Sequence, residues 1–283
     1  MEIQGESCAE VRPRRALRPK WHQPAGILLV LVATVYLEAQ SAAVEPTINT
    51  DRPSVANSSV VVPKGTFQAE NGWLVTKSSG DYVFDFPETE LRFGLLNRTE
   101  LRLFVPDYYH TLTSPDATVS GFGDTAIGVK QQIGPIQSFN FAAILLLGLP
   151  TGANAISSHG YDPAVQLPWS RHFAQNWIVA GQAAFYWPTV AGRHDFTDED
   201  TIYFDRQLTK AWDAFLEYAG DFPERGGTRQ ILHFGSAYKL SPRQQIDFQA
   251  AAGLSKSAPN LFVGFGYSFY FQVSKCGRSG VRC

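Results

Sequence analysis

The stretch from Asn260 to Phe271, NLFVGFGYSFYF, sets a bulky apolar residue at every second position: Leu261, Val263, Phe265, Tyr267, Phe269 and Phe271. Between them stand Phe262, Gly264, Gly266, Ser268 and Tyr270. A β-strand repeats every two residues, so each set owns one face of a sheet. One face is apolar throughout; the other is nearly bare and carries no charge. A strand of a soluble sandwich buries its apolar face and meets water with polar and charged groups on the other. This strand has little to offer water. Acyl chains against the apolar side and a lumen on the small-residue side fit it better.

The alternation recurs along the chain. Leu91, Phe93 and Leu95 oppose Glu90, Arg92 and Gly94, and Leu101 and Leu103 oppose Glu100 and Arg102. Ile246 and Phe248 oppose Gln245, Asp247 and Gln249; Trp212, Leu216 and Tyr218 oppose Asp213 and Glu217. Runs of this kind lie near 66–77, 88–96, 98–107, 121–134, 137–149 and 164–174, and again near 176–188, 198–208, 210–220, 228–240, 243–255 and 260–271. Most reach the ~9–11 residues a spanning strand needs. Short connections such as Leu96–Asn97 alternate with long polar ones such as PDYYHTLTSPDATVSGFGD, PTGANAISSHGYDP and VAGRHDFTDED. Aromatics including Trp73, Tyr108, Trp169, Trp177 and Trp187 sit near strand ends, at the level of a membrane interface. The expected fold is all-β: a closed, antiparallel, up-and-down transmembrane β-barrel of about 12 strands. Closure matters because hydrocarbon leaves no unpaired backbone group satisfied.

The N-terminus reads differently. The basic stretch RPRRALRPK (Arg12–Lys20) precedes an apolar run, Ala25–Leu37, and then the small residues of EAQSAAVEP. That is the layout of a cleaved secretory signal peptide, and the run is short of the ~20 residues that span a bilayer. The expected organisation is a signal peptide over 1–43, a periplasmic N-terminal segment over 44–65, the barrel over 66–271 and a tail over 272–283. After the apolar run no window of about 18 apolar residues follows, which excludes helical spans. Residues 1–43 hold five of the 24 Lys/Arg and four of the 26 Asp/Glu, so the remainder carries a net charge of −3. No basic patch points to nucleic acid. The three cysteines are Cys8, Cys276 and Cys283, so no disulfide or thiolate metal site holds the body of the fold.

Eight segments in order carry a resemblance: TDRPSV (Thr50–Val55), VVPKGTFQAENGW (Val61–Trp73), TELRFGLLNRTELRL (Thr89–Leu103), SGFGDTAIGVKQQI (Ser120–Ile133), LPTG (Leu149–Gly152), LPWSRHFAQNW (Leu167–Trp177), AFLEYAG (Ala214–Gly220) and the closing APNLFVGFGYSFYF. In them the chain resembles the outer-membrane barrels of the meta-pathway phenol degradation family, often labelled transporters, from about Asn49 to Phe271. The resemblance implies an outer-membrane location. The expected function is a passive channel for small solutes, aromatic or hydrophobic ones among them. Expected partners are the lipid bilayer, the barrel assembly machinery and the solute; no cofactor is expected. Barrels of this kind finish on the last strand's terminal aromatic, whereas here Phe271 is followed by QVSKCGRSGVRC.

The residues expected to line the lumen are Glu90, Arg92, Glu100, Arg102, Lys130, Asp205, Asp213 and Glu217. Opposed acids and bases there can form a constriction that selects solutes by charge. They can equally pair with one another and fill the interior, as in small barrels. Two further function classes follow: a closed structural barrel, and a membrane-embedded lipid-modifying enzyme using Ser170 and His172, which share a strand face. No histidine pair has metal-ligand spacing. The segment Thr50–Gly65 holds Asp-Arg-Pro and Val-Val-Pro, which exclude helix. It is expected to fold into the barrel mouth or dock a partner.

Overall fold

The computed structural model describes residues 47–113 and 117–273; the expected signal peptide, and the tail beyond Val273, lie outside them. Among the described residues there is no helix. In chain order the strands begin with β1 (Thr66–Ser78), β2 (Asp81–Phe86), β3 (Glu90–Leu96), β4 (Thr99–Phe104), β5 (Tyr108–Thr113) and β6 (Ala117–Phe122). They continue with β7 (Thr125–Gln132), β8 (Phe139–Leu149), β9 (Asp162–Ala174), β10 (Trp177–Tyr186), β11 (Thr189–Val190) and β12 (Arg193–His194). The last five are β13 (Thr197–Gln207), β14 (Trp212–Pro223), β15 (Arg229–Ser241), β16 (Gln244–Gly253) and β17 (Leu261–Gln272).

Twelve of these close a barrel in the order β1-β3-β4-β7-β8-β9-β10-β13-β14-β15-β16-β17, every neighbour antiparallel. The ring shuts where β17 pairs β1, from Thr66 opposite Gln272 to Lys77 opposite Leu261. Burial follows the alternation. On β17, Gly264, Gly266, Ser268 and Tyr270 are buried while Phe265 is 57% exposed; on β14, Glu217 is buried beside Leu216 at 52%. Leu145, Ile202, Phe204, Phe234 and Ile246 continue the exposed apolar band around the outside. An apolar exterior around a closed wall is the build of a membrane-spanning barrel.

The twelve expected runs correspond to the twelve wall strands, but the connections between them hold further strands, among them β2 (Asp81–Phe86) between the runs expected near 66–77 and 88–96. The expected long loop Pro106–Asp124 holds strands β5 and β6, and the strand expected from 121 starts at Thr125. The expected loop VAGRHDFTDED contributes the β11–β12 hairpin and the first residues of β13. The first difference follows from a line of breaks across the wall. Pro87 and Pro106 have no amide to give a ladder, so β2 and β3 part at the first and β4 and β5 at the second; Gly123–Asp124 separates β6 from β7. β1 therefore pairs β3 along Phe67–Glu70 and β2 along Leu74–Ser78. Single bonds bridge the breaks: Gly72 N to Pro87 O (2.6 Å), Val105 N to Thr89 O (2.9 Å) and Gly123 N to Asp107 O (2.8 Å). Strands β2, β5 and β6 extend the wall upward on that side. Below the breaks the outer surface is concave, with a groove of about 620 Å³ lined by Phe67, Leu91, Phe93, Leu103, Ile127 and Leu145, an acyl-chain surface.

Candidate functional site: a plugged lumen

The segment ahead of β1 lies inside the barrel. It enters at the end that carries the short turns, where Ile48 N bonds Pro242 O in the β15–β16 turn (2.7 Å). It climbs to the level of Arg52 and Ala56 and returns at Pro63–Gly65, where Gly65 N bonds Gly94 O (2.7 Å). Its prolines and lack of periodicity leave its amides without a ladder, and inward side chains of the wall take them up. Glu70 accepts from the amides of Asp51 (2.9 Å) and Arg52 (3.0 Å), Glu217 from Val55 (2.8 Å) and Ala56 (3.0 Å), and Glu100 from Val62 (2.6 Å).

The central cluster forms around Asp51. Its carboxylate accepts from Lys130 Nζ (3.1 Å), from the Ser58 amide (2.8 Å) and from Arg102 Nη2, with Arg92 Nη1 at 3.4 Å. Arg92 grips Glu100 with two parallel bonds of 3.0 Å and reaches Glu70 at 2.7 Å. Arg102 binds Glu90 and Asn57 Oδ1 (2.9 Å). Glu70, Glu100, Arg92, Arg102 and Lys130 are almost entirely shut off from solvent. Burial alone would push the Asp51 carboxyl up, but the field of Arg92, Lys130 and Arg102 and the Ser58 amide outweigh it and hold it well below the usual carboxylate range.

Two further anchors flank this cluster. Arg52 binds Glu88 (2.7 Å) and Asp247 (3.5 Å), and although burial opposes its charge, those carboxylates raise its affinity for the proton. Small residues make the room: a Cβ on Gly72 or Gly266 would collide with the Arg52 guanidinium. The bare face of the last strand thus meets the plug. On the opposite side Glu217 accepts from His233 Nδ1 (2.7 Å), and Asn57 bonds Gln182 (2.9 Å) and Gln166 (3.0 Å).

Of the eight residues singled out in the sequence, Glu90, Arg92, Glu100, Arg102 and Lys130 come together in the central cluster. Glu217 faces the same plug from β14. Asp205 and Asp213 do not join them. They line a pocket of about 380 Å³ beside the plug, with Tyr203, Ile178 and Lys239, whose Nζ is 3.7 Å from Asp213. Sequence reading missed Asp51, Glu70, Gln166, Gln182 and His233. Strand parity could have found Glu70, which shares its face with Gln68 and Gly72; nothing local marks Asp51. Ser170 and His172 are not assembled as a pair: Ser170 Oγ lies 2.7 Å from Ser59 Oγ inside the barrel, and His172 is exposed near the end of β9. Among the described residues no group of three or more His, Cys, Asp or Glu is placed to hold a metal ion.

A family model described as "Putative MetA-pathway of phenol degradation" matches residues 50–271. No curated protein matches. Among solved structures, the chain is similar to an outer membrane channel from Pseudomonas putida F1, at a TM-score of 0.58 and 13% identity over 75% of this chain and 97% of that one. It is also similar to the NanC porin, at a TM-score of 0.52 and 11% identity over 72% of this chain and 98% of that one. At such identities the likeness is one of fold.

Proposed function

This chain belongs to the family described as the MetA-pathway of phenol degradation, and from that premise we propose that it is a passive outer-membrane channel for small solutes, its path set by the internal plug. One observation carries the reading. The wall is twelve strands around, its inward face is polar and charged, and its own N-terminal segment lies within it, bordered by a pocket of about 380 Å³. A barrel that needed only to be solid could fill its interior with apolar side chains; here the filling is charged, hydrogen-bonded and part of a separate segment. The names of the two similar structures, a channel and a porin, agree with this reading. In it, Glu90, Arg92, Glu100, Arg102, Lys130 and Glu217 hold the plug, while Asp205 and Asp213 line the space a solute meets. Its partners are the bilayer, the barrel assembly machinery that inserts it, and the solute, aromatic or hydrophobic ones among the candidates.

The density of ion pairs around the plug favours a second reading, a closed structural barrel. Planar-bilayer recordings separate the two. The channel reading expects discrete current steps and solute flux in liposome swelling; silence in both assays would remove it.

A further inference from the structure

At the short-turn end, the outer wall formed by β8, β9, β10 and β13 carries two arginines on rings. Arg171 Cζ lies 4.9 Å from the centre of Phe139, and Arg206 Cζ lies 5.2 Å from that of Trp177. Both arginines are exposed, and among the described residues neither forms an ion pair with a carboxylate. We propose that this patch binds the phosphate headgroup of an anionic phospholipid in the membrane leaflet at the short-turn end.

Register brings the cations to one place. Arg171 sits opposite Val179 on one side of β10 and Arg206 opposite Trp177 on the other. With strands 4.7–4.9 Å apart and a two-residue offset, their α-carbons are about 12 Å apart, on one face of the wall and at one depth. A bulge sharpens the site. The β9–β10 register jumps from Trp177–Ala174 to Ile178–His172, which leaves Phe173 unpaired. Its ring, 52% exposed, stands 6.2 Å from Trp177 and 6.3 Å, edge-on, from Phe204. Rings of this kind lie at headgroup depth, and Leu167, Val179 and Ile202 continue the same outward faces toward the bilayer centre.

Stacking on a ring engages a guanidinium through its flat face and leaves its edge N–H groups for an anion, where they match phosphate geometry. The charge balance is one-sided. Asp205, the acid next to Arg206, points into the lumen pocket, and the outward acids of β13, Asp198 and Asp200, are near its other end. Two uncompensated cations at a membrane surface favour anionic over zwitterionic lipid.

Delipidated protein in detergent is titrated with short-chain phosphatidylglycerol or phosphatidylcholine, and bound lipid is counted by native mass spectrometry. One phosphatidylglycerol should be held at least about tenfold more tightly than phosphatidylcholine, and Arg171→Gln with Arg206→Gln should bring the two lipids level. Equal affinity in the wild type, or an unchanged preference in the double variant, overturns the site. Should that variant fail to fold, shown by loss of the heat-modifiable gel band, wild-type fluorescence decides. Brominated phosphatidylglycerol should quench more than brominated phosphatidylcholine, and Trp177→Phe should abolish the excess; equal quenching overturns the proposal. Neither readout depends on whether the barrel conducts.

Discussion

The two sides of the lumen hold the same plug by different chemistry. The side built by β1, β3, β4 and β7 uses charge: Glu70, Glu90, Arg92, Glu100, Arg102 and Lys130 surround Asp51. The side built by β9, β10, β14, β15 and β16 uses fewer charges: Glu217 accepts two plug amides and Asp247 pairs with Arg52, while Gln166 and Gln182 bond Asn57 and Gln245 donates to Thr50 Oγ1 (2.7 Å). The charged side also contains the prolines that break the wall, while the strands from β13 to β17 pair through ten or so consecutive positions with one register shift. The residual pocket lies against β10 and β13 to β16, away from the charged cluster. A buried charge is expensive unless every partner is in place, so a charged wall fixes what it grips. Amides and glycines grip less tightly and can leave space. The plug is therefore anchored more heavily on one side, and the pocket lies along the other.

The comparison breaks most directly at Arg102. Arg102→Ala leaves Glu90 and Asp51 buried with fewer counter-charges, and removing one member of such a cluster costs about 3–5 kcal/mol. The expected outcome is a large fall in the temperature at which the folded gel band disappears, together with higher conductance as the plug loosens. A variant as stable and as conductive as the wild type would show that the cluster does not anchor the plug.

Asp51→Asn tests the same anchor from the plug's side and should cost about 2 kcal/mol, the value of hydrogen bonds to charged groups. Its pH dependence has a definite sign. Since Asp51 is held below its ordinary value, its contribution is fully present above the unfolded value of about 3.9 and is lost as pH falls toward the folded one. The stability gap between wild type and Asp51→Asn, measured by denaturant titration, should be flat from about pH 8 to about pH 5 and narrow only below about pH 4. A gap that narrows near neutrality would refute the assignment.

Gly266→Val probes the fit between the last strand and the plug. Its Cβ would run into Arg52 and the Asp247 carboxylate, and overpacking of this kind costs about 1–3 kcal/mol. Outward Phe265→Leu on the same strand should be nearly neutral in a bilayer, because lipid repacks around it. Equal effects of the two would erase the distinction between the faces.

The wall was legible in the sequence wherever its two faces differ in kind. Gly264, Gly266 and Ser268 between aromatics, or Glu100 and Arg102 between leucines, announce an inside and an outside within one strand. The breaks were harder to read, because alternation continues on both sides of Pro87 and Pro106 and only the ladder stops. The plug was the least legible element. Asp51 meets Arg102 and Lys130 only after twelve strands have closed a ring around it, and a short irregular segment carries no local trace of such partners. Parity puts Asp205 and Asp213 on the inward face, as it does the central charges, but it gives neither the height nor the sector of the barrel at which a residue sits.

The smallest effect belongs to the less charged side and sharpens the comparison most. Gln182 is buried on β10 and accepts from both the backbone amide (3.1 Å) and the side chain (2.9 Å) of Asn57. Gln182→Ala removes these bonds and a long one to Glu199 (3.4 Å), together worth about 1 kcal/mol, and leaves a space that water can enter. Stability should thus fall little, while conductance should rise because the opening adjoins the less heavily anchored flank of the plug. If Gln182→Ala destabilised the barrel as much as Arg102→Ala, the two sides would grip equally and the heavier anchor assigned to the charged side would lose its physical basis. A small loss of stability with a clear gain in current is the pattern that a one-sided anchor requires.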